Sequence, residues 1–274
     1  MATKNKLISV IISTYNNPTW LNKVLHGFNY QTDKNFEIII ADDGSTESTA
    51  KLIDDFRKIT SLNIVHVWHP DNGFQKCAIL NQAIIASSGE YLIFTDGDCV
   101  PRRDFVSVHR NNAKPGFFLS GGYFKLPMNC SEAIDQAAIE SGNAFDIGWL
   151  ITHGYPPNGK KLRLTVSGVL AEFCNFIIPT AKTWNGHNSS GWKADIISVN
   201  GFDERMQYGG EDCEMGDRLK FNGIKVKRVR YTAVCIHLDH ARGYVTDEMI
   251  KNNKKIRNAT LDSKKTYTKH GIIK

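Results

Sequence analysis

The sequence predicts an α/β fold: a mostly parallel, Rossmann-like central sheet with helices on both faces. Three observations predict it. Apolar, β-branched runs recur at 7–13, 36–41, 62–68 and 90–95, helix-type segments separate them, and three of the runs end in polar clusters. At 274 residues the chain suits one domain with an appendage.

The elements follow in order. Leu7 to Ser13 is near-continuously apolar, as a strand covered on both faces requires. Pro18 suits a first helical turn, and Trp20, Leu21, Val24, Leu25 and Phe28 then share one helix face. Phe36 to Ala41 is a second strand, closed by the turn and cap cluster Asp42-Asp43-Gly44-Ser45 before a helix at 46–59. A third strand at 62–68, a helix at 75–87 and a fourth strand at 90–95 complete the pattern. Beyond residue 100 a helix is expected at 101–112, a strand at 117–125, a helix at 131–147, an exposed loop at 150–165 and a strand at 166–179. A polar segment at 183–194 precedes a helix at 212–222, a strand at 224–236 and a basic tail, helical at first, from 246.

Composition narrows the class. Hydrophobic residues make 41% and charged residues 23%, as in soluble globular chains, and no apolar run is long enough to span a bilayer. The opening residues predict no secretory leader. Six scattered cysteines without a CxxC pair predict reduced, buried thiols rather than a disulfide framework or zinc ribbon. The net charge of +6 is compatible with anionic substrates, an acidic membrane surface or nucleic acid. Lys and Arg concentrate at 157–163 and 220–274 without the interleaved aromatics of a nucleic-acid face, so no nucleic-acid partner is expected.

In open α/β sheets ligands sit beyond the carboxyl ends of the strands. Ser13-Thr14-Tyr15-Asn16, Asp42-Asp43 and Asp96-Gly97-Asp98 all stand at such ends. Asp96 and Asp98 are either a turn or a grip for a hard divalent cation and a sugar hydroxyl. Asp42-Asp43 is either a helix cap or an acceptor for the imide N–H of a base. Gly209 and Gly210 allow close approach to a ligand, and Glu211 and Asp212 then open a helix whose dipole favours an ionised base. His237 and His240, three apart, are either partly exposed imidazoles or a pair reaching one cation; a zinc hydrolase lacks its HExxH form here.

Taken together, Ser-Val-Ile-Ile-Ser-Thr-Tyr-Asn at 9–16, Ala-Asp-Asp-Gly-Ser at 41–45, Asn72-Gly73, Asn81, Gly-Glu-Tyr-Leu-Ile-Phe-Thr-Asp-Gly-Asp at 89–98 and Asn-Gly-Phe-Asp-Glu with Gly-Gly-Glu-Asp over 200–212 resemble the inverting family 2 glycosyltransferases of the GT-A fold. The second half resembles the signature shared by β-1,4-galactosyltransferases and bacterial chondroitin-type polymerases, and the resemblance covers about 1–245. It implies a domain over 1–245, with 1–100 for the nucleotide-sugar and 101–245 for acceptor and catalysis, followed by the helix and tail 246–274. It implies that Ser13 and Tyr15 frame the nucleotide, Asp43 accepts from uracil N3–H beside Asp42, Lys76 meets the nucleotide, and Asp96 touches ribose or sugar. Asp98, His240 and His237 would hold Mn²⁺ or Mg²⁺, Asp212 would be the base, and Glu211, Gly210 and Tyr208 would meet the acceptor. Tyr208 stands where the family often has Trp, and Trp184 and Trp192 are either sugar platforms or core.

The implied reaction moves a sugar from a nucleotide-diphospho-sugar, UDP-linked, to a hydroxyl of a glycan or lipid-linked saccharide acceptor in bacterial surface polysaccharide or lipopolysaccharide synthesis. The expected location is cytoplasmic, with the basic tail touching the anionic inner face of the membrane. Two rivals remain. A nucleotidyltransferase would also use paired carboxylates but usually carries a Gly-rich basic phosphate loop, which residues 13–16 are not. A non-catalytic sugar-nucleotide-binding module would not need Asp212 facing the donor.

Overall fold

The computed structural model describes residues 6–241 and 245–274. Residues 1–5, read above as the start without a leader, and 242–244, at the end of the expected 1–245 domain, lie outside the described residues. The first half follows the expected alternation: β1 (Ile8–Thr14), α1 (Pro18–Asn29), β2 (Phe36–Asp42), α2 (Glu47–Arg57), β3 (Ile64–Trp68), α3 (Lys76–Ala86) and β4 (Tyr91–Asp96). Period-two alternation sorts the strands' apolar residues between two cores. Ile8, Val10 and Ile12 face α1, whereas Ile11, Ile39, Leu92 and Phe94 face α3.

The second half departs from several expectations. A short strand, β5 (Cys99–Pro101), precedes α4 (Phe105–Asn112). The strand expected at 117–125 is two, β6 (Phe117–Ser120) and β7 (Gly122–Lys125), which enter different sheets. The helix expected at 131–147 is broken into α5 (Met128–Ala133), α6 (Gln136–Ser141) and a 3-10 turn (Asn143–Phe145). The expected loop holds α7 (Ile147–Thr152) and α8 (Leu162–Thr165). Residues read as a strand form α9 (Gly168–Ile177), because Ala171 and Cys174 pack at helical spacing on Val166 and Tyr231. The polar 183–194 segment contributes β8 (Ser189–Trp192) and leads into α10 (Lys193–Ser198). Then come α11 (Glu211–Phe221), β9 (Lys225–Arg228), β10 (Val234–His237) and α12 (Asp247–Ser263).

The main sheet has the order β3-β2-β1-β4-β8-β6-β9, parallel except where β8 pairs with β4 and β6. β8 carries no strand pattern of its own. It is seated by buried polar bonds: His109 Nδ1 lies 2.7 Å from Ser190 Oγ and its Nε2 3.1 Å from Asn188 Oδ1. A second sheet, β5-β10-β7, sits beside the ends of the first. The C-terminal segment is no appendage. Asn253 of α12 donates to the carbonyls of Gln207 and Gly209, and Asn200 bonds the backbone of Thr268 and Ile273. Among the described residues no helix is long and apolar enough to cross a membrane.

Candidate active site

Strand order reverses between β1 and β4, and ligands bind at such a switch point beyond the strand ends. Ser13 and Asp96 are register partners there, and the Ser13 hydroxyl donates to Asp96 Oδ1 at 2.7 Å. Lys76, in the first turn of α3, reaches the same oxygen at 2.6 Å. A cavity of about 600 Å³ opens over these residues. Its lining includes Ser13, Tyr15, Asp43, Lys76, Asp96 and Asp98 on one side and Tyr208, Gly210, Glu211, Asp212, His237 and His240 on the other. Asp42 does not line it: the side chain is buried behind the wall, taking hydrogen bonds from Ser45 N–H and facing His66 Nε2 at 2.9 Å.

Each wall is electrostatically set. Burial works against the charge on Lys76, but Asp96, Glu211 and Asp212 outweigh it and hold the ammonium well above its usual range. Burial likewise opposes the Asp96 carboxylate; Lys76 and the Ser13 hydroxyl prevail and hold it well below the usual range. Burial raises Asp43, only partly offset by His69 at 2.8 Å and the Gln75 N–H at 3.0 Å. A carboxylate has about four lone-pair sites, so Asp43 keeps acceptor capacity toward the cavity. Tyr15, half exposed, donates to Asp71 at 2.8 Å.

The facing wall begins where Gly209 and Gly210 adopt φ of 106° and 86°, a region that L side chains rarely enter. The turn delivers Glu211 and Asp212 to the start of α11. Glu211 accepts from Gly209 N–H at 2.8 Å; burial and the charge of Asp212 push it up to about 7. Asp212 Oδ2 accepts from Gly186 N–H at 2.8 Å. The walls are close: a methyl group built on Gly186 would lie 3.8 Å from both Asp212 Oδ2 and Lys76 Nζ. Tyr208 meets Phe74 edge-on with ring centroids 6.0 Å apart.

Asp98 is joined by residues distant in sequence because β10 runs antiparallel to β5, pairing His237 with Cys99. Among the described residues, ligand atoms of Asp98, Cys99 and His237 lie within 4.8 Å of one another. Burial holds the Cys99 thiol well above its usual range, so it stays protonated and donates to Asp98 Oδ1 at 3.3 Å. His240 is the better donor. Its Nδ1 lies 2.9 Å from the Ala241 carbonyl, which accepts only from N–H, so that nitrogen carries the proton. Its Nε2 lies 2.9 Å from Asp98 Oδ2, with His237 Nε2 3.6 Å from the same oxygen. A carboxylate and two imidazole nitrogens brought to one point at the cavity edge are a donor set that fits a divalent cation.

Several lining residues escaped the sequence reading. His187 closes the cavity floor against Tyr123, 4.6 Å between centroids, and burial pushes its imidazole down to about 4 despite Asp96 and Asp212. A lone His in a polar segment is a weak signal. Neither Trp184 nor Trp192 lines the cavity: Trp184 is fully buried against Phe94 and Phe118, and the half-buried Trp192 packs edge-on against Tyr91. Asn81, quoted with the motifs, clamps the 200–204 turn by bonding both the N–H and the carbonyl of Phe202.

Residues 9–116 match the profile of Glycosyl transferase family 2, and residues 169–241 match that of the N-terminal domain of galactosyltransferase. The first match gives residues 9–116, rather more than a third of the chain, the family 2 glycosyltransferase pattern. Chondroitin synthase of Pasteurella multocida (strain Pm70) is 26% identical to this chain over 244 residues, covering 80% of the chain and 23% of that protein. The chain thus spans about a quarter of that relative's length. A Pyrobaculum calidifontis mannosyltransferase in complex with GDP-Man and Mn²⁺ superimposes with a TM-score of 0.59 at 18% identity, covering 94% of this chain and 62% of the other. S. aureus TarS in complex with UDP-GlcNAc does so at 0.60 and 14%, covering 91% and 64%. These likenesses show the GT-A fold.

Proposed function

We propose that this glycosyltransferase moves a sugar, with inversion, from a nucleotide-diphospho-sugar to a hydroxyl of a glycan or lipid-linked saccharide, in bacterial surface polysaccharide or lipopolysaccharide synthesis. The observation that carries the reading is the gathering of Asp96, Asp98, Lys76 and Asp212 around one cavity. UDP is the favoured nucleotide, since Asp43 offers a buried acceptor to an imide N–H. Tyr15 presents its ring to the base, and Ser13 and Lys76 fix Asp96 for a ribose or sugar hydroxyl. Asp98, His237 and His240 would hold a divalent ion; two imidazoles favour Mn²⁺ over Mg²⁺, which prefers oxygen ligands. When bound, that ion supplies Lewis acidity at the diphosphate leaving group.

Asp212, held by Gly186 N–H, takes the proton from the acceptor hydroxyl as its oxygen attacks the anomeric carbon. Attack opposite the diphosphate in a single displacement inverts that carbon, with no carboxylate nucleophile of the kind retaining glycosidases use. Tyr208 and Glu211 flank the acceptor, and Gly210 leaves room for it. In a thermal-stabilisation screen of UDP- and GDP-sugars with Mn²⁺, a UDP-sugar should raise the melting temperature. Asp212→Asn should keep that stabilisation while turnover falls by about 10²–10⁴-fold. Near-normal turnover would overturn the base assignment, and a screen with no nucleotide-sugar responding would overturn the reaction.

A further inference from the structure

The helix α9 turns an apolar face to solvent. Val169, Leu170, Phe173, Phe176 and Ile177 follow the spacing of a single helix face and are between 49% and 87% exposed. The orientation is fixed from beneath. Ala171 and Cys174 pack on Val166 and Tyr231, and Asn175 accepts from Tyr231 N–H at 2.9 Å while donating to Thr232 at 3.1 Å. A contiguous apolar patch of this kind on a soluble chain marks an interaction surface.

Cations gather beside the helix, with Arg163 and Arg230 both bordering Gly122. Lys160, Lys161 and Arg163 precede it; Lys182, Arg228 and Arg230 gather near its C-terminus, where Arg228 donates to the carbonyls of Phe176 and Ile178. Among the described residues none of these six forms an ion pair with an acid, and the buried Nε atoms of Arg163 and Arg230 have no hydrogen-bond partner. Burial, then the charges of Arg163 and Arg228, hold Arg230 below its usual guanidinium range. Glu172 is the single acid within α9.

We infer that this face docks on an anionic lipid bilayer, with α9 lying in the plane of the interface and the flanking Arg and Lys residues meeting lipid phosphates. Ten residues are too few to cross a bilayer, and an apolar stripe edged by cations is the pattern of a helix that lies on one. A second copy is a poorer occupant, because two-fold pairing would press the same unpaired cations together. The surface is separate from the C-terminal tail, which is tied to Asn200. The inference stands independently of the reaction proposed above.

Vesicle flotation of the full chain without substrates tests it. Association with vesicles of phosphatidylcholine plus phosphatidylglycerol should exceed that with phosphatidylcholine alone by about tenfold or more and fall with salt. Phe173→Asp/Phe176→Asp, both exposed sites, should lose about tenfold or more of that association with an unchanged melting curve; Phe176→Ser serves if the double variant unfolds. No flotation of the unsubstituted chain with either vesicle, or equal flotation of the substituted one, overturns the inference. So does a dimer seen by light scattering that the same substitutions dissociate while neither form binds vesicles.

Discussion

Lys76 Nζ stands 2.6 Å from Asp96 Oδ1 where the central sheet reverses its strand order. The side chains are only 21% and 24% exposed, so neither charge has much water to fall back on. Lys76→Met should therefore cost about 1–3 kcal/mol, less than for a fully buried pair. Lys76→Met/Asp96→Asn should recover much of that stability, and neither variant should turn over. Chemical denaturation and a donor-transfer assay read the two effects separately; an additive double variant would show that the pair is not coupled.

The ring nitrogens facing Asp98 make a second prediction. Calorimetric titration with Mn²⁺ should show one site, with His240→Ala weakening it by about 10–100-fold and Asp98→Ala abolishing it. Donor affinity should fall with the metal in excess chelator. Unchanged Mn²⁺ affinity in Asp98→Ala would move the ion elsewhere.

Glu211 makes the fold sensitive to pH. Its carboxyl is raised from 4.5 to about 7, so between those values the folded chain binds more protons than the unfolded one. The stabilisation is complete at pH below 4.5 and is lost as pH rises through about 7. The loss is on the order of 3 kcal/mol. Glu211→Gln should flatten this slope, as urea melts at pH 5.5 and 8 would show by a smaller change in midpoint. An unchanged slope would place Glu211 in water.

Trp184 tests packing against sugar stacking. As a core residue between Phe94 and Phe118 it predicts that Trp184→Ala costs about 3–5 kcal/mol. A platform would instead raise the acceptor KM and leave the melting temperature in place.

Strands β1, β2 and β4 and the carboxylates near their ends were legible because both-face burial writes itself as β-branched runs, and Asp43, Asp96 and Asp98 stand directly at or after such ends. The region after residue 100 was not. α9 is apolar on its inner and its outer face, so the 3.6-residue rhythm that distinguishes helix from strand is erased over Val169–Ile178. Residues 189–192 become a strand through His109 and Asn188, partners distant in sequence. Asp42 and Asp43 are adjacent letters with the same chemistry; Asp42 ends β2 and faces His66 behind the wall, while Asp43, in the bend that follows, lines the cavity. His187 carries no pattern at all, and its place follows from the chain reversal that brings Gly186 to Asp212.

That reversal rests on Gly216. A methyl group there would come within 2.7 Å of Trp184 Cβ and 2.8 Å of its backbone nitrogen, so α11 and the 184–187 segment lie in direct backbone contact. Asp212 and its N–H donor consequently belong to one stiff block. In the role proposed for Asp212, its alignment toward an acceptor hydroxyl would then be completed as the chain folds and not recruited anew at each turnover.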